Sequence, residues 1–371
     1  MVYQPVVLER LRSLGILDQI EQQAYLNQQG IYWRDVNGKE LGHMPLPEGE
    51  HVLLFGQWRM NTLILEAIAK YPSVDVRFNT SFAGCIQDET SDTIQVMIHE
   101  TSADCDDDIV CTANWLIGTD GANSNVRRSL CIPFEGFSFT DFRMVGADVF
   151  YDFGKQHFNG SRMNFIVDPD DWAVVIYTGQ QKDLKPPGEA PPLWRVAYTE
   201  SAQLSNDPAD ILARAQKQCA KYAQGKMDLE VARAEPYRLH QRCAAQAIKG
   251  RVVLAGDALH SNNPIGGLGL TTGICDAHAI GNALARVCTG HAPASLVAEA
   301  ADDRRNTWVN VTNQLSLSNL QRLRSEEPAD VEERKGFLHA LRNDPEMPHR
   351  IRAFIEKIAG RDFALTRDSK L

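Results

Sequence analysis

The chain has no Cys-x-x-Cys pair, no internal repeat, no excess of basic charge, and no apolar run near the roughly 18 residues that a membrane helix needs. Each absence narrows the function. The eight cysteines (Cys85, Cys105, Cys111, Cys131, Cys219, Cys243, Cys275 and Cys288) stand singly, which offers neither a zinc site nor a thioredoxin-like redox pair, so they are read as reduced thiols. The opening Met1-Val2-Tyr3-Gln4-Pro5 lacks the basic, apolar, small-residue succession of a secretory leader, and the sequons at Asn159 and Asn310 are read as unmodified. A formal charge of -10 argues against nucleic acid or anionic membranes as partners, because such binding rests on Lys and Arg neutralising phosphates. Small molecules are the expected ligands.

What is present is the composition of an ordinary folded protein: 371 residues, 43% hydrophobic and 23% charged, with a mean hydropathy of -0.30. Val7, Leu8, Leu11 and Leu14 recur at helical spacing ahead of Gly15, and residues 58–71 predict a second helix. Strands are predicted at residues 74–78, around Ile94, Val96 and Ile98, from Ile109 onward, and, as a buried strand, at residues 115–118. The acidic run Asp104, Asp106, Asp107 and Asp108 is read as a solvated turn. From about Phe137 to Arg242 strands dominate, at residues 144–150, 163–167, 172–177 and 194–198, and Asp207-Pro208 reads as N-cap and first position of a helix reaching Tyr222. A buried strand is predicted at residues 251–255, a helix after Thr272, and further helices around Leu320 and Leu338. The expected class is α+β: an α/β cofactor domain in two parts, interrupted by a sheet-rich block.

The densest constellation is Gly250-Arg251-Val252-Val253-Leu254-Ala255-Gly256-Asp257-Ala258-Leu259-His260, followed by Asn263-Pro264-Ile265-Gly266-Gly267-Leu268-Gly269-Leu270-Thr271-Thr272-Gly273 and Asp276-Ala277. A buried strand delivers a carboxylate at its C-terminal end, where open α/β sheets bind ligands. Glycines then let the backbone approach a flat ligand, and a helix begins whose positive N-terminus stabilises negative charge on a ring or phosphate. Upstream, Trp115-Leu116-Ile117-Gly118-Thr119-Asp120-Gly121 runs a strand into an Asp-Gly turn, and Phe55-Gly56-Gln57-Trp58-Arg59 enters a helix.

This order resembles the flavin-contacting motifs of the single-component flavoprotein aromatic hydroxylases, the family of p-hydroxybenzoate hydroxylase and phenol hydroxylase. The resemblance implies that Asp257 holds the ribityl hydroxyls of FAD while Pro264, Gly266, Gly267, Gly269 and Leu270 lie beside its ring. Leu259 and Thr271 stand where the family usually has Ala and Asn. By the same resemblance, Asp120 fixes the Asp-Gly motif at FAD and NADPH, Arg127 faces a phosphate, and Gln57 and Arg59 reach the flavin's phosphate or ribityl region. Arg238, His240 and Arg242 are basic groups available to NADPH or to solvent. The implied activity is hydroxylation of an aromatic or polyketide-like molecule with NAD(P)H and O2, in specialised metabolism. Tyr177, Tyr198 and His260 are candidate substrate-side acids or bases, with none assigned. The implied fold is a p-hydroxybenzoate hydroxylase-like FAD-binding domain (residues 1–135 and 246–300), a substrate-binding sheet domain (136–245) and a C-terminal helical region (301–371).

The family's opening Gly-x-Gly-x-x-Gly unit, with its acidic residue about 20 positions later, does not occur before Pro5. The expected FAD domain is therefore N-terminally incomplete, by roughly one βαβ unit. That leaves three readings: a monooxygenase, a flavin-dependent dehydrogenase or reductase of the same fold, and a non-catalytic remnant. The terminal Ser369-Lys370-Leu371 matches the tripeptide read by the peroxisomal import receptor, so the expected location is the peroxisome, with the cytoplasm as alternative.

Overall fold

The computed structural model describes residues 1–88, 91–101, 106–186 and 188–364. Ser369-Lys370-Leu371, Asp104 and Cys105 lie outside the described residues. The largest layer is a seven-stranded sheet in the order Glu230–Tyr237, Phe142–Phe150, Pro192–Ser201, Ala173–Gln181, Met163–Ile166, Ile31–Arg34, Glu40–Met44. Its neighbours are antiparallel except for the parallel pair Met163–Ile166 with Ile31–Arg34. Two of its strands come from before residue 45, so the sheet draws on more of the chain than the 136–245 stretch.

Period-two alternation gives this sheet two different faces. Val145, Ala147 and Val149 share one side of the Phe142–Phe150 strand and join a core with Ile211, Ala215 and Cys219 of the Pro208–Tyr222 helix. That helix starts where the sequence predicts, because the Asp207 carboxylate accepts from the Ala209 and Asp210 amides and Pro208 occupies the first turn. Met144, Gly146 and Asp148 face the other way, toward the cofactor side.

The cofactor side centres on a short parallel pair, Leu116–Gly118 with Val252–Leu254. Val252, Val253 and Leu254 are fully buried, each worth about 1.5–3 kcal/mol against exposure. They anchor the start of the Gly256-Asp257 turn. Beyond it, His260–Ser261 closes a three-stranded sheet with His240–Ala244 and Phe134–Ser138, so the turn is held at both ends by strand pairing. The Leu268–Cys288 helix then packs over the parallel pair through Ala279, Ile280 and Ala283.

Four local expectations are corrected. Residues 74–78 form no strand, since Val74, Val76 and Phe78 find no layer to pack against and stay exposed; the strand begins at Thr80. Asp106, Asp107 and Asp108 belong to the Asp106–Ala113 strand, because its pairing with Ile94–Thr101 runs on to Asp106. Ile117, expected to be buried, is 37% exposed on the open side of its strand. The helix expected after Thr272 already begins at Leu268, because Gly267 takes the left-handed conformation that lets the chain turn into it.

Gly136 tests the register that positions the turn. Its φ is +119° and an added Cβ would sit 2.1 Å from the Gln241 carbonyl oxygen on the paired strand. Gly136→Ala is expected to lower unfolding free energy by about 3 kcal/mol, combining backbone strain and overpacking, as read by urea denaturation.

Candidate functional site

The Val252–Leu254 strand ends at the buried Ala255, and a 3-10 turn at Gly256–Ala258 exposes the Asp257 side chain. The following segment is fixed by its own Asn263 and by side chains from elsewhere. Asn263 donates through Nδ2 to the Ser316 carbonyl at 3.0 Å, and its Oδ1 accepts from the Ile265 amide at 3.1 Å. Gln241 Oε1 accepts from the Asn263 amide at 3.1 Å, and Gln4 donates to the Gly266 carbonyl, also at 3.1 Å. Gly266 and Gly267 have φ of +100° and +68°, conformations a Cβ-bearing residue rarely adopts, and their bare backbone forms part of a wall.

That wall belongs to a cavity of about 710 Å³ between the turn, the start of the Gln57–Ile68 helix and the free face of the large sheet. Gln57, Asp257, Pro264, Gly266, Gly267, Gly269 and Leu270 all line it, so the structure brings these expected site residues together. Facing them are Met144, Met163, Phe165, Val174, Ile176 and Ala197. One edge is polar: Asp148 is cross-strand partner to both Arg195 and Arg233, and Arg195 Nε donates to Asp148 Oδ1 at 2.6 Å. Arg233 donates to Glu235 at 2.5 Å, and Tyr237 stands beside this edge. These sheet residues, together with Trp58, Asn61, Ser261 and Asn262, join the lining without having been expected from the sequence. Strand alternation signals which residues share a face, but not which face meets the glycine turn.

Arg59 and Asp120 do not line the cavity. The Arg59 guanidinium stacks 5.4 Å from the Trp58 ring centre. Asp120 instead organises the Asn125–Ser129 helix, accepting from Ser124 Oγ at 2.5 Å and from the Asn125 and Val126 amides at 2.6 and 3.1 Å. Partial burial would raise its pKa, but these hydrogen bonds outweigh that and hold it below the usual carboxylate value. Arg127 is 4% exposed and faces no open space for a phosphate: it donates to the Ala258 carbonyl at 2.8 Å and the Ala122 carbonyl at 2.7 Å, under the Phe134 ring. It thereby ties the Asp-Gly segment to the Gly-Asp turn. His260 is fully buried with Nε2 on Asp276, and Tyr198 lies on the covered side of the sheet, so neither reaches the cavity. Tyr177 does reach it, with its hydroxyl accepting from Gln181.

The site fits a flavin. Bare glycine backbone at a helix start accommodates a flat ring and stabilises negative charge on it. The Asp257 carboxyl accepts hydroxyl donors; it opens onto the cavity but is walled by protein, and the lost solvation raises its pKa. Among the described residues no cluster of His, Cys, Asp and Glu could hold a metal ion.

Two outcomes follow. Arg127→Leu leaves two carbonyls without their charged donor and is expected to cost roughly 2–4 kcal/mol in urea unfolding, with weaker FAD retention. Because the folded-state pKa of Asp257 is raised above 3.8, its ionisation destabilises the flavin-free fold at neutral pH, and this cost disappears as pH falls through the raised pKa toward 3.8. Asp257→Asn should therefore raise the flavin-free melting temperature modestly at pH 8, with the gain shrinking on acidification.

A family model described as "FAD binding domain" matches residues 1–314. Para-nitrophenol 4-monooxygenase of Pseudomonas sp. (strain WBC-3) is 32% identical over 370 residues, covering 97% of this chain and 86% of that protein. 6-Hydroxy-3-succinoylpyridine 3-monooxygenase of Pseudomonas putida (strain DSM 28022 / S16) is 29% identical over 340 residues, covering 89% of this chain and 80% of that protein. The crystal structure of p-nitrophenol 4-monooxygenase from Pseudomonas putida DLL-E4 superposes with a TM-score of 0.86 at 31% identity, covering 97% of this chain and 88% of that one.

Proposed function

The chain belongs to the FAD-dependent aromatic monooxygenases, and from that premise we propose that its substrate is a single-ring phenol or hydroxypyridine hydroxylated with NAD(P)H and O2. The observation that carries the reading is the single cavity in which Asp257 and the Pro264–Gly269 wall face an apolar sheet surface with one polar edge. FAD must share this volume with the substrate, which favours a small ring. The substrates named for the two relatives fit that shape: para-nitrophenol and 6-hydroxy-3-succinoylpyridine are each one six-membered ring with a hydroxyl opposite a polar substituent.

When bound, FAD would supply the redox chemistry that carries electrons from NAD(P)H to O2, one atom of which enters the substrate while the other leaves as water. The chain's own residues orient and insulate. Asp257 accepts from cofactor hydroxyls, and the amides at the start of the Leu268–Cys288 helix stabilise negative charge on the ring. Met144, Met163, Phe165, Val174 and Ile176 keep water from the reacting face. Arg195 and Arg233 stand at the polar edge to meet the substituent opposite the site of attack. Desolvation raises the pKa of Tyr177 and pushes that of Tyr237 up to about 12, so both remain neutral hydrogen-bonding phenols rather than bases at neutral pH.

The test is the FAD-loaded protein under ¹⁸O₂ with NADH or NADPH and a series of single-ring phenols, para-nitrophenol among them. One labelled oxygen in the aromatic product is expected, with reductant consumption that depends on the phenol. Reductant oxidation without label in any product would instead favour a flavin-dependent dehydrogenase or reductase.

A further inference from the structure

Behind the Gly256–Ser261 turn, on the side away from the cavity, lies a buried ionic cluster. Asp276, in the Leu268–Cys288 helix, has no solvent exposure. Its Oδ2 accepts from the Gly256 amide at 2.9 Å and from His260 Nε2 at 2.8 Å, and its Oδ1 accepts from Arg304 Nε at 2.8 Å. Arg304, also fully buried, donates onward to the Ala359 carbonyl at 2.9 Å. The His260 ring stacks on Trp308 at 5.7 Å, and Trp308 Nε1 donates to Asn262 Oδ1 on the cavity wall at 3.3 Å.

Burial alone would raise the Asp276 pKa, but His260 and Arg304 outweigh it and hold the carboxyl at about 2, a permanent acceptor at neutral pH. A buried ion pair of this kind is no efficient source of stability, since a well-packed apolar pair of similar volume often does as well. What the carboxylate does, and an apolar side chain cannot, is seize both ends of the turn. Gly256 and His260 converge on one oxygen, and Asp257 lies between them.

We propose that Asp276 is a positioning residue for FAD: by holding the Gly256 amide and the His260 ring on one oxygen, it sets where the Asp257 carboxyl meets the cofactor without lining the cavity itself. The proposal rests on Asp257 being a flavin contact. Arg304 neutralises the charge this arrangement requires, and Trp308 carries the same constraint to Asn262.

The experiment compares two charge-balanced double variants by FAD dissociation constant, from flavin fluorescence, and by flavin-free melting temperature. Asp276→Leu/Arg304→Met keeps volume but removes the acceptor; Asp276→Asn/Arg304→Gln keeps an acceptor oxygen for the turn. The apolar pair is expected to melt close to the parent yet bind FAD about tenfold more weakly or worse, as losses of supporting shells around a ligand site generally do, while the amide pair restores affinity. Adding Asp257→Asn to the apolar pair should then cost little more, because the two changes act through one contact. Parent-like FAD affinity in a folded apolar pair overturns the proposal, and so does an amide pair as weak as the apolar one. Should the apolar pair not fold, His260→Phe releases the other end of the turn while keeping a ring on Trp308; weaker FAD binding supports the proposal and unchanged binding overturns it. If Asp257→Asn alone leaves FAD affinity untouched, or the parent holds no FAD, the underlying reading fails and takes the proposal with it.

Discussion

Bare glycine backbone cannot hold its own shape, so this site depends on a few anchoring side chains of the turn, His260 and Asn263 among them, and on the partners that other parts of the chain bring to them. The residues from Gly256 to Gly269 must be bare enough for a flat cofactor and rigid enough to place one carboxylate. Rigidity comes from four directions besides the Asp276 carboxylate that bridges Gly256 and His260. The buried Val252–Leu254 strand fixes the entry, and pairing of His260–Ser261 with His240–Ala244 fixes the exit. Arg127 fastens the Ala258 carbonyl from the Asp-Gly side, and Gln241 with Asn263 fastens the segment before Gly266. The motifs scattered along the chain are thus mechanically one object.

The sheet solves the complementary problem. The face that packs on the Pro208–Tyr222 helix is mostly apolar, with Arg143 and Glu200 paired to each other and to Arg214 of that helix, whereas the opposite face changes character along its width because it borders a cavity rather than a core. It is apolar at Met163, Phe165, Val174 and Ile176 and charged at the Arg195–Asp148–Arg233 row. On the proposed function, that gradient would orient a small aromatic ring with its hydrocarbon edge against the apolar strands and the hydroxyl opposite the site of attack toward the arginines.

Legibility in the sequence followed the range of the physics. The Asp207 cap, the helix from Pro208 and the buried strand at Val252 are local, and local patterning is sufficient to read them. The glycine turn was legible because backbone freedom and a strand-end carboxylate are needed at fixed spacing, and Asp257, Pro264, Gly266, Gly267, Gly269 and Leu270 all line one cavity. Arg127 was misread because a basic residue next to a cofactor motif looks like a phosphate ligand, while its two carbonyl partners lie 131 and 5 residues away and only folding brings the first of them within reach. Residues 74–78 had strand composition but no partner, and tertiary context decides such cases. Asp276 stood within the glycine-rich constellation, but its role as the shared acceptor of the Gly256 amide, His260 and Arg304 was not legible, since those partners are brought together only by folding.

On the proposed function, the isoalloxazine ring of FAD lies against the Pro264–Gly269 wall, with Asp257 at its ribityl chain and the apolar sheet opposite. A crystal structure of the protein with FAD tests it most directly. The account predicts electron density for the ring within this cavity and hydrogen bonds from cofactor hydroxyls to the Asp257 carboxylate; a ring bound elsewhere on the fold, or density that leaves Asp257 without a cofactor contact, would contradict it.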